Sequence, residues 1–183
     1  GVMLAKTENP EHVALTAARL EEGTPIVALV ESAEGLAAAT EIAKTEQVVR
    51  LAFGSGDFRR DTGIGSSQIA LAHTRSQFVI ASRVARVAPP IDGPTLSNDT
   101  RVLMDAAGHA VEMGMTGKLC LRVDQAPYIN EVLAPSAADV SWAETVIEEL
   151  GPGGERCRDG SDLPRLARAQ KISRLAQAFA AAR

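Results

Sequence analysis

Two carboxylates, Glu31 and Asp57, stand 26 positions apart, each after an apolar run. Glu31 closes Ile26-Val27-Ala28-Leu29-Val30, and Asp57 follows Leu51-Ala52-Phe53-Gly54-Ser55-Gly56. That separation is one strand-plus-helix repeat. In neighbouring parallel strands, about 4.8 Å apart, the two acids would lie side by side at the C-terminal rim, where β/α barrels build their active sites. Two hard oxygen ligands with room for water and a substrate oxygen suit Mg²⁺, with Mn²⁺ as a substitute. Soft ligands are missing nearby, which argues against zinc. Taken singly, each carboxylate has an alternative role as a cap for the helix that follows it.

The segment Gly54-Ser55-Gly56 reads as a flexible turn that lets backbone approach a ligand or cofactor, and Asp61-Thr62-Gly63-Ile64-Gly65 continues it as loop. Arg59 and Arg60 offer charge to an anion. His12, His73 and His109 are too scattered for a nucleophilic triad. No phosphate-loop or dinucleotide fingerprint is present.

Short β-forming runs at Val2–Leu4, Ile26–Val30, Val48–Phe53 and Leu119–Val123 predict strands. Ile91–Leu96 is a weaker candidate because Pro94 cannot donate to a ladder. Helical spacing occupies the intervals. Pro10–Leu20 follows Asn9 as N-cap and places Val13, Ala17 and Leu20 on one face. Ala33–Lys44, Ser66–Val87 and Asp99–Met113 follow, the second carrying Ile69, Leu71, Phe78, Ile80 and Val84. Ser136–Leu150 opens on a capping box with Asp139 at N3 and stops at Gly151-Pro152-Gly153-Gly154. A final helix covers about Leu163–Ala181. Alternation of this kind implies parallel βαβ units. Only five strands are visible, whereas a closed (β/α)8 barrel takes about 250 residues. The expected organisation is a partial barrel over 1–150, then a linker and helical tail or lid over 151–183.

The chain has 183 residues, 45% of them hydrophobic, which excludes wholesale disorder. No apolar run is long enough for a membrane span, and the start lacks the pattern of a secretory signal. Cys120 and Cys157 alone suggest free thiols and a reducing, cytoplasmic setting. The net charge is −4, and Phe179 is the one aromatic in the basic tail, so nucleic acid is a poor partner. The charge divides as −8 over 1–154 and +4 over 155–183. That basic tail suits either a solvated helix face or a phosphorylated ligand.

Several segments, in order and at matching spacing, resemble the citrate lyase β-subunit-like proteins of the HpcH/HpaI aldolase superfamily. Val2-Met3-Leu4-Ala5-Lys6-Thr7-Glu8 is similar to their V-M-L-P-K-x-E strand, and Ala28-Leu29-Val30-Glu31-Ser32-Ala33-Glu34-Gly35 to A-L-[IV]-E-[ST]-x-x-G. Phe53-Gly54-Ser55-Gly56-Asp57-Phe58 resembles G-x-x-D-[LF], and Ile91-Asp92-Gly93-Pro94 the I-D-G-P variant. Gly114-Met115-Thr116-Gly117-Lys118-Leu119-Cys120-Leu121 with Gln125, then Ala134-Pro135-Ser136 and Trp142-Ala143, complete the set.

The resemblance implies a (β/α)8 barrel of which this chain supplies about strands 4 to 8. It implies a Mg²⁺-dependent carbon–carbon lyase acting on a 3-hydroxyacyl-CoA of citramalyl, malyl or citryl type, with Glu31 and Asp57 as metal ligands. The coenzyme A thioester enters as substrate. A 2-keto-acid aldolase without CoA and a non-catalytic assembly subunit are the alternatives. Asp162 matches the family aspartate that reaches into a neighbouring subunit, in a homo-oligomer expected to be a trimer or hexamer. Departures are Ala5 for proline, Leu121-Arg122-Val123 for Ile-His-Pro, and a shortened segment around Gly160–Pro164. The family's first three strands, with the arginine that holds a substrate carboxylate, have no counterpart, so this chain alone is expected to be inactive.

Overall fold

Continuous runs of β-branched and aliphatic residues become strands because both faces of such a run can be buried. In the computed structural model, which describes residues 1–181, they form β1 (Val2–Leu4), β2 (Ile26–Val30) and β3 (Val48–Phe53). β4 (Ala88–Asp92) and β5 (Gly117–Lys118) complete one five-stranded sheet. All pairings are parallel, and the spatial order follows the chain order. Sequential order with right-handed crossovers keeps the crossover helices on one face. That is the arrangement of consecutive barrel strands; a doubly wound sheet reverses its order at a switch point.

The crossovers are α1 (Pro10–Ala17), α2 (Ala33–Ala37), α3 (Ala39–Ala43), α4 (Ser55–Thr62), α5 (Gln68–Ala85) and α6 (Thr100–Glu112). Their starts follow local chemistry: Asn9 Oδ1 accepts from the His12 amide at 2.9 Å, and Asp99 Oδ1 from that of Arg101 at 2.8 Å. Val13, Ile42, Leu71 and Phe78 reach the sheet face formed by Ile26, Ala28, Val30, Leu51 and Phe53. Phe53 sits at the centre, edge-on to Phe58 of α4 at 5.4 Å and tilted against Phe78 at 5.0 Å.

Several expected elements differ. The helix foreseen over 33–44 is two short helices meeting at Ala38 (φ −89°, ψ 0°). The strand foreseen at Leu119–Val123 is instead the two residues Gly117–Lys118, and Leu121 and Val123 are exposed. β4 begins three residues before Ile91, through Pro89 and Pro90. The segment foreseen as a flexible loop from Gly54 to Gly65 contains α4, which ends at Gly63 in the left-handed conformation (φ 74°).

The chain divides into two compact units, Gly1–Ile129 and Asn130–Arg183, rather than at 150/151 as the Gly-rich linker suggested. The reason lies in the second unit. Its helix α8 (Ala137–Leu150) contributes Ala143, Val146 and Leu150 to a small core shared with Leu166 and Ala169 of α9 (Asp162–Ala181). Arg168 lies 4.8 Å from the centre of the Trp142 ring. The junction falls within α7 (Ala126–Leu133), which follows a 3₁₀ turn at Val123–Gln125. Cys120 and Cys157 are free thiols.

Candidate metal centre

Glu31 is the first residue beyond β2, and Asp57 lies in the first turn of α4, just beyond β3. The placement of Asp57 follows from its neighbour. Phe58, buried against Phe53, fixes α4 on the end of β3 and leaves Asp57 at the rim with 34% of its side chain exposed. A second tie holds α4 to the β2 end, where Asp61 Oδ2 accepts from the Ala33 amide at 2.8 Å. This carboxylate occupies the N-terminus of α2, where helix amide groups lack intrahelical partners.

The two acids meet at Lys6, just after β1. The Lys6 amide donates to Glu31 Oε1 at 3.0 Å. Its ammonium donates to Asp57 Oδ2 and lies 3.9 Å from Glu31 Oε1. Both carboxylate oxygens are therefore within 3.9 Å of one nitrogen and cannot be more than twice that distance apart. The hydrogen bond from Lys6 holds the Asp57 carboxyl below the usual range, with further help from Arg60, 3.4 Å away. The pair already converges on a single cation, as a divalent-ion site of hard oxygen donors requires. Among the described residues no group of three or more His, Cys, Asp or Glu is gathered. An ion held here would complete its shell with water or ligand oxygens.

Gly54 makes the convergence possible. A Cβ at this position would lie 2.5 Å from Glu31 Cβ and 2.6 Å from Oε2. The Gly54-Ser55-Gly56 segment is thus not a flexible turn. Gly54 is packed beneath Glu31, Ser55 begins α4, and Gly56 alone faces open space. Gly93 is similarly constrained, since its Cβ would come 2.2 Å from Ser55 Oγ.

A further charged cluster was not foreseen. Asp92, at the end of β4 and fully buried, accepts from Arg75 Nε of α5 at 2.8 Å and from Lys118 Nζ of β5 at 2.9 Å. Lys118 also donates to the Gly93 carbonyl at 2.7 Å. Burial opposes ionisation of Asp92, but Lys118 and Arg75 outweigh it and hold its carboxyl below the ordinary range. The signal was present in the sequence as an aspartate closing β4 and a lysine in β5.

Arg122, part of the departure from the family's Ile-His-Pro, is bonded to Asp124 through Nε and Nη2, along one edge of its guanidinium. The two line a cleft of about 310 Å³ with Ser97, Asn98, Gln125 and Tyr128. Asp162 begins α9 in the second unit, half-buried, and accepts from the Arg158 amide at 2.8 Å. Its own amide donates to the Asp159 carbonyl at 3.3 Å. No helix among the described residues is long and apolar enough to cross a membrane.

Residues 2–123 match the family model for HpcH/HpaI aldolase/citrate lyase, and residues 138–180 match that for the HpcH/HpaI aldolase C-terminal domain. The chain belongs to the HpcH/HpaI aldolase/citrate lyase family. The two matched regions fall on either side of the structural junction. Family members with similar sequences include the mitochondrial citramalyl-CoA lyase of Mus musculus, 29% identical over 203 residues, covering 96% of this chain and 60% of that protein. A citrate lyase subunit beta-like protein of Deinococcus radiodurans is 27% identical, covering 85% of this chain and 57% of that protein. The chain thus spans somewhat under two thirds of the curated relatives it matches. Among solved structures of the family fold, CitE from Mycobacterium tuberculosis in complex with magnesium, acetoacetate and coenzyme A superposes with a TM-score of 0.74 at 27% identity. The match covers 96% of this chain and 68% of that one. RipC from Yersinia pestis gives 0.71 at 29% identity, over 75% and 65%. The expected (β/α)8 class is shown by these neighbours, of which the five-stranded sheet is a partial barrel.

Proposed function

We propose that the protein carrying this chain is a divalent-metal-dependent carbon–carbon lyase acting on a coenzyme A thioester. The observation that carries the reading is the convergence of Glu31 and Asp57, from adjacent strand ends, on one cationic position. The magnesium and coenzyme A bound by the similar CitE structure, and the name of the mouse relative, support it. Mg²⁺ would be held by Glu31 and Asp57 and would act as a Lewis acid toward negative charge developing on a substrate oxygen. The chain's own residues supply the frame. The Lys6 amide fixes one oxygen of Glu31, Phe58 fixes the helix that presents Asp57, and the lack of a side chain at Gly54 lets Glu31 pack flat. Such fixed groups need no rearrangement as charge develops, which is the source of electrostatic rate enhancement. The N-terminal turn of α4, open at Gly56, offers backbone amides to an anionic ligand.

Under the same proposal the substrate is of citramalyl, malyl or citryl type. Asp162 handles a proton at the site of a neighbouring copy in a homo-oligomer. Its half-exposed position at the start of a helix supports that reach. The test is turnover of citramalyl-CoA and malyl-CoA by the full-length protein with Mg²⁺. Glu31→Gln and Asp57→Asn should each abolish metal-dependent cleavage while leaving the circular dichroism spectrum intact, and Asp162→Asn should lower turnover without changing Mn²⁺ affinity. Retention of full activity in both rim variants would overturn the reading. Cleavage of free 2-keto-acid adducts, with no response to coenzyme A thioesters, would move the assignment to an aldolase.

A further inference from the structure

Among the described residues, Lys6 is the one with polar contacts to both proposed metal ligands, and it makes them in a conformation that costs energy. Its φ is +53°, in the left-handed region that a residue bearing a side chain seldom adopts. Strain of this kind persists only where the surroundings over-determine it. Here they do. On one side the Lys6 amide is held by Glu31 Oε1 at 3.0 Å. On the other, Thr7 is fully buried, with its amide donating to the Leu29 carbonyl at 3.1 Å and its hydroxyl to that of Leu4 at 2.8 Å. The backbone is thus pinned from both sides. The side chain is not: it is 53% exposed and is held at its tip by Asp57, with Glu31 3.9 Å away.

We infer that Lys6 is the resident counter-cation of the carboxylate pair, and that a divalent ion enters the site by displacing its ammonium. The inference rests on the metal-centre reading given above. Two carboxylates this close repel one another unless a positive charge stands between them. The ammonium supplies that charge, so the site stays assembled without an ion. A divalent cation and an ammonium cannot share the position, because at such separations their repulsion is several times the thermal energy. Displacement requires only rotation of the exposed stem, while the amide bond to Glu31 remains in place. Lys6 therefore sets the site's affinity for metal: competition from the tethered charge weakens it, and the preserved geometry keeps it selective for small, hard ions.

The test uses Mn²⁺ as probe, by titration calorimetry and electron paramagnetic resonance, on the purified full-length protein. Lys6→Met keeps the stem and the backbone strain but removes the charge; it should bind Mn²⁺ at least about tenfold more tightly than wild type. Lys6→Arg keeps the charge and should show no gain. A second readout needs no titration of affinity. Acetylation of Lys6 by a limiting anhydride, followed by mass spectrometry, should accelerate several-fold on adding Mn²⁺, whereas that of Lys44 should not change. If Lys6→Met does not fold, Lys6→Gly serves instead, since glycine accepts φ +53° and keeps the amide donor. Equal or weaker Mn²⁺ binding by the charge-free variant, with Lys6 acetylation indifferent to Mn²⁺, would overturn the inference. If Glu31→Gln and Asp57→Asn bind Mn²⁺ as well as wild type, the metal-centre reading fails instead. Loss of binding in those two, with no effect of Lys6, sinks the counter-cation role alone.

Discussion

Replacing Gly54 by alanine tests how tightly the metal centre is built. The backbone there (φ −82°, ψ 71°) is open to alanine, so the substitution probes packing and not backbone conformation. The new methyl would meet Glu31 Cβ at 2.5 Å, Oε2 at 2.6 Å and Cδ at 3.2 Å. The carboxylate can swing aside, but Glu31 Cβ is fixed to the chain at the end of β2. The ends of β2 and β3 must therefore part, against the ladder bond from the Gly54 amide to the Val30 carbonyl at 2.9 Å. Overpacking of this kind costs about 1–3 kcal/mol, which for a chain of this length lowers Tm by several degrees. Thermal unfolding followed by circular dichroism measures that term, and Mn²⁺ calorimetry should show at least a tenfold loss of affinity. The double variant Gly54→Ala, Glu31→Ala is diagnostic. It removes Oε2 but keeps the Cβ–Cβ clash, so the stability loss should remain. An unchanged Tm and unchanged Mn²⁺ affinity in Gly54→Ala would refute the reasoning.

Asp92→Asn leaves Arg75 and Lys118 buried without their counter-ion, and should cost about 3–5 kcal/mol in urea unfolding. Asp57 and Asp92 both have folded pKa values below their unfolded ones, so their contribution to stability is present above the unfolded carboxylate value and is lost as pH falls through the lowered folded values. Acid unfolding followed by circular dichroism should accordingly steepen below about pH 4, and Asp57→Asn should flatten part of that slope. Trp142 is the sole tryptophan, so fluorescence reports on the second unit. Arg168→Ala should shift its emission and lower the stability seen by that probe by about 0.5–1 kcal/mol.

The strands legible in sequence were those whose apolar runs are buried and unbroken. β1, β2 and β3 match their expected bounds, and with them the adjacency of Glu31 and Asp57 follows from one βα repeat. Hydrophobicity misled where burial is governed by charge. On α5, Ile69, Ile80 and Val84 are exposed, while Thr74, Arg75 and Ser82 are buried, Arg75 turning inward to Asp92. The same cluster draws Lys118 into β5 and leaves the apolar Leu121 and Val123 outside. α4 was hidden by the glycines at its start, of which Gly54 serves a steric end: it yields space to Glu31. Gly63, which ends α4 in the left-handed conformation, was read in the sequence only as part of a loop. Nor was the counter-ion Lys6 visible, since it lies 25 residues from one partner and 51 from the other.

β4 contains Pro89 and Pro90, neither of which has an amide proton for a ladder; the Pro90 carbonyl faces the β5 side, accepting from the Thr116 amide at 3.2 Å, and the pairing with β3 shifts register here. The gap is bridged by a side chain. Arg50 of β3 donates from Nε to the Pro89 carbonyl and from Nη2 to Thr116 Oγ1 at 2.6 Å, just before β5, with burial pulling its pKa down. One residue thus spans three strands, as a rivet holds overlapping plates where a seam cannot be stitched. The seam is then only as tolerant as the rivet. Lysine, with one donor head instead of a planar fork, could fasten one plate or the other. Because barrel strands set the height of the loops that follow them, slippage at Arg50 would tilt the whole rim on which the acids stand, at a distance from any residue that touches a ligand.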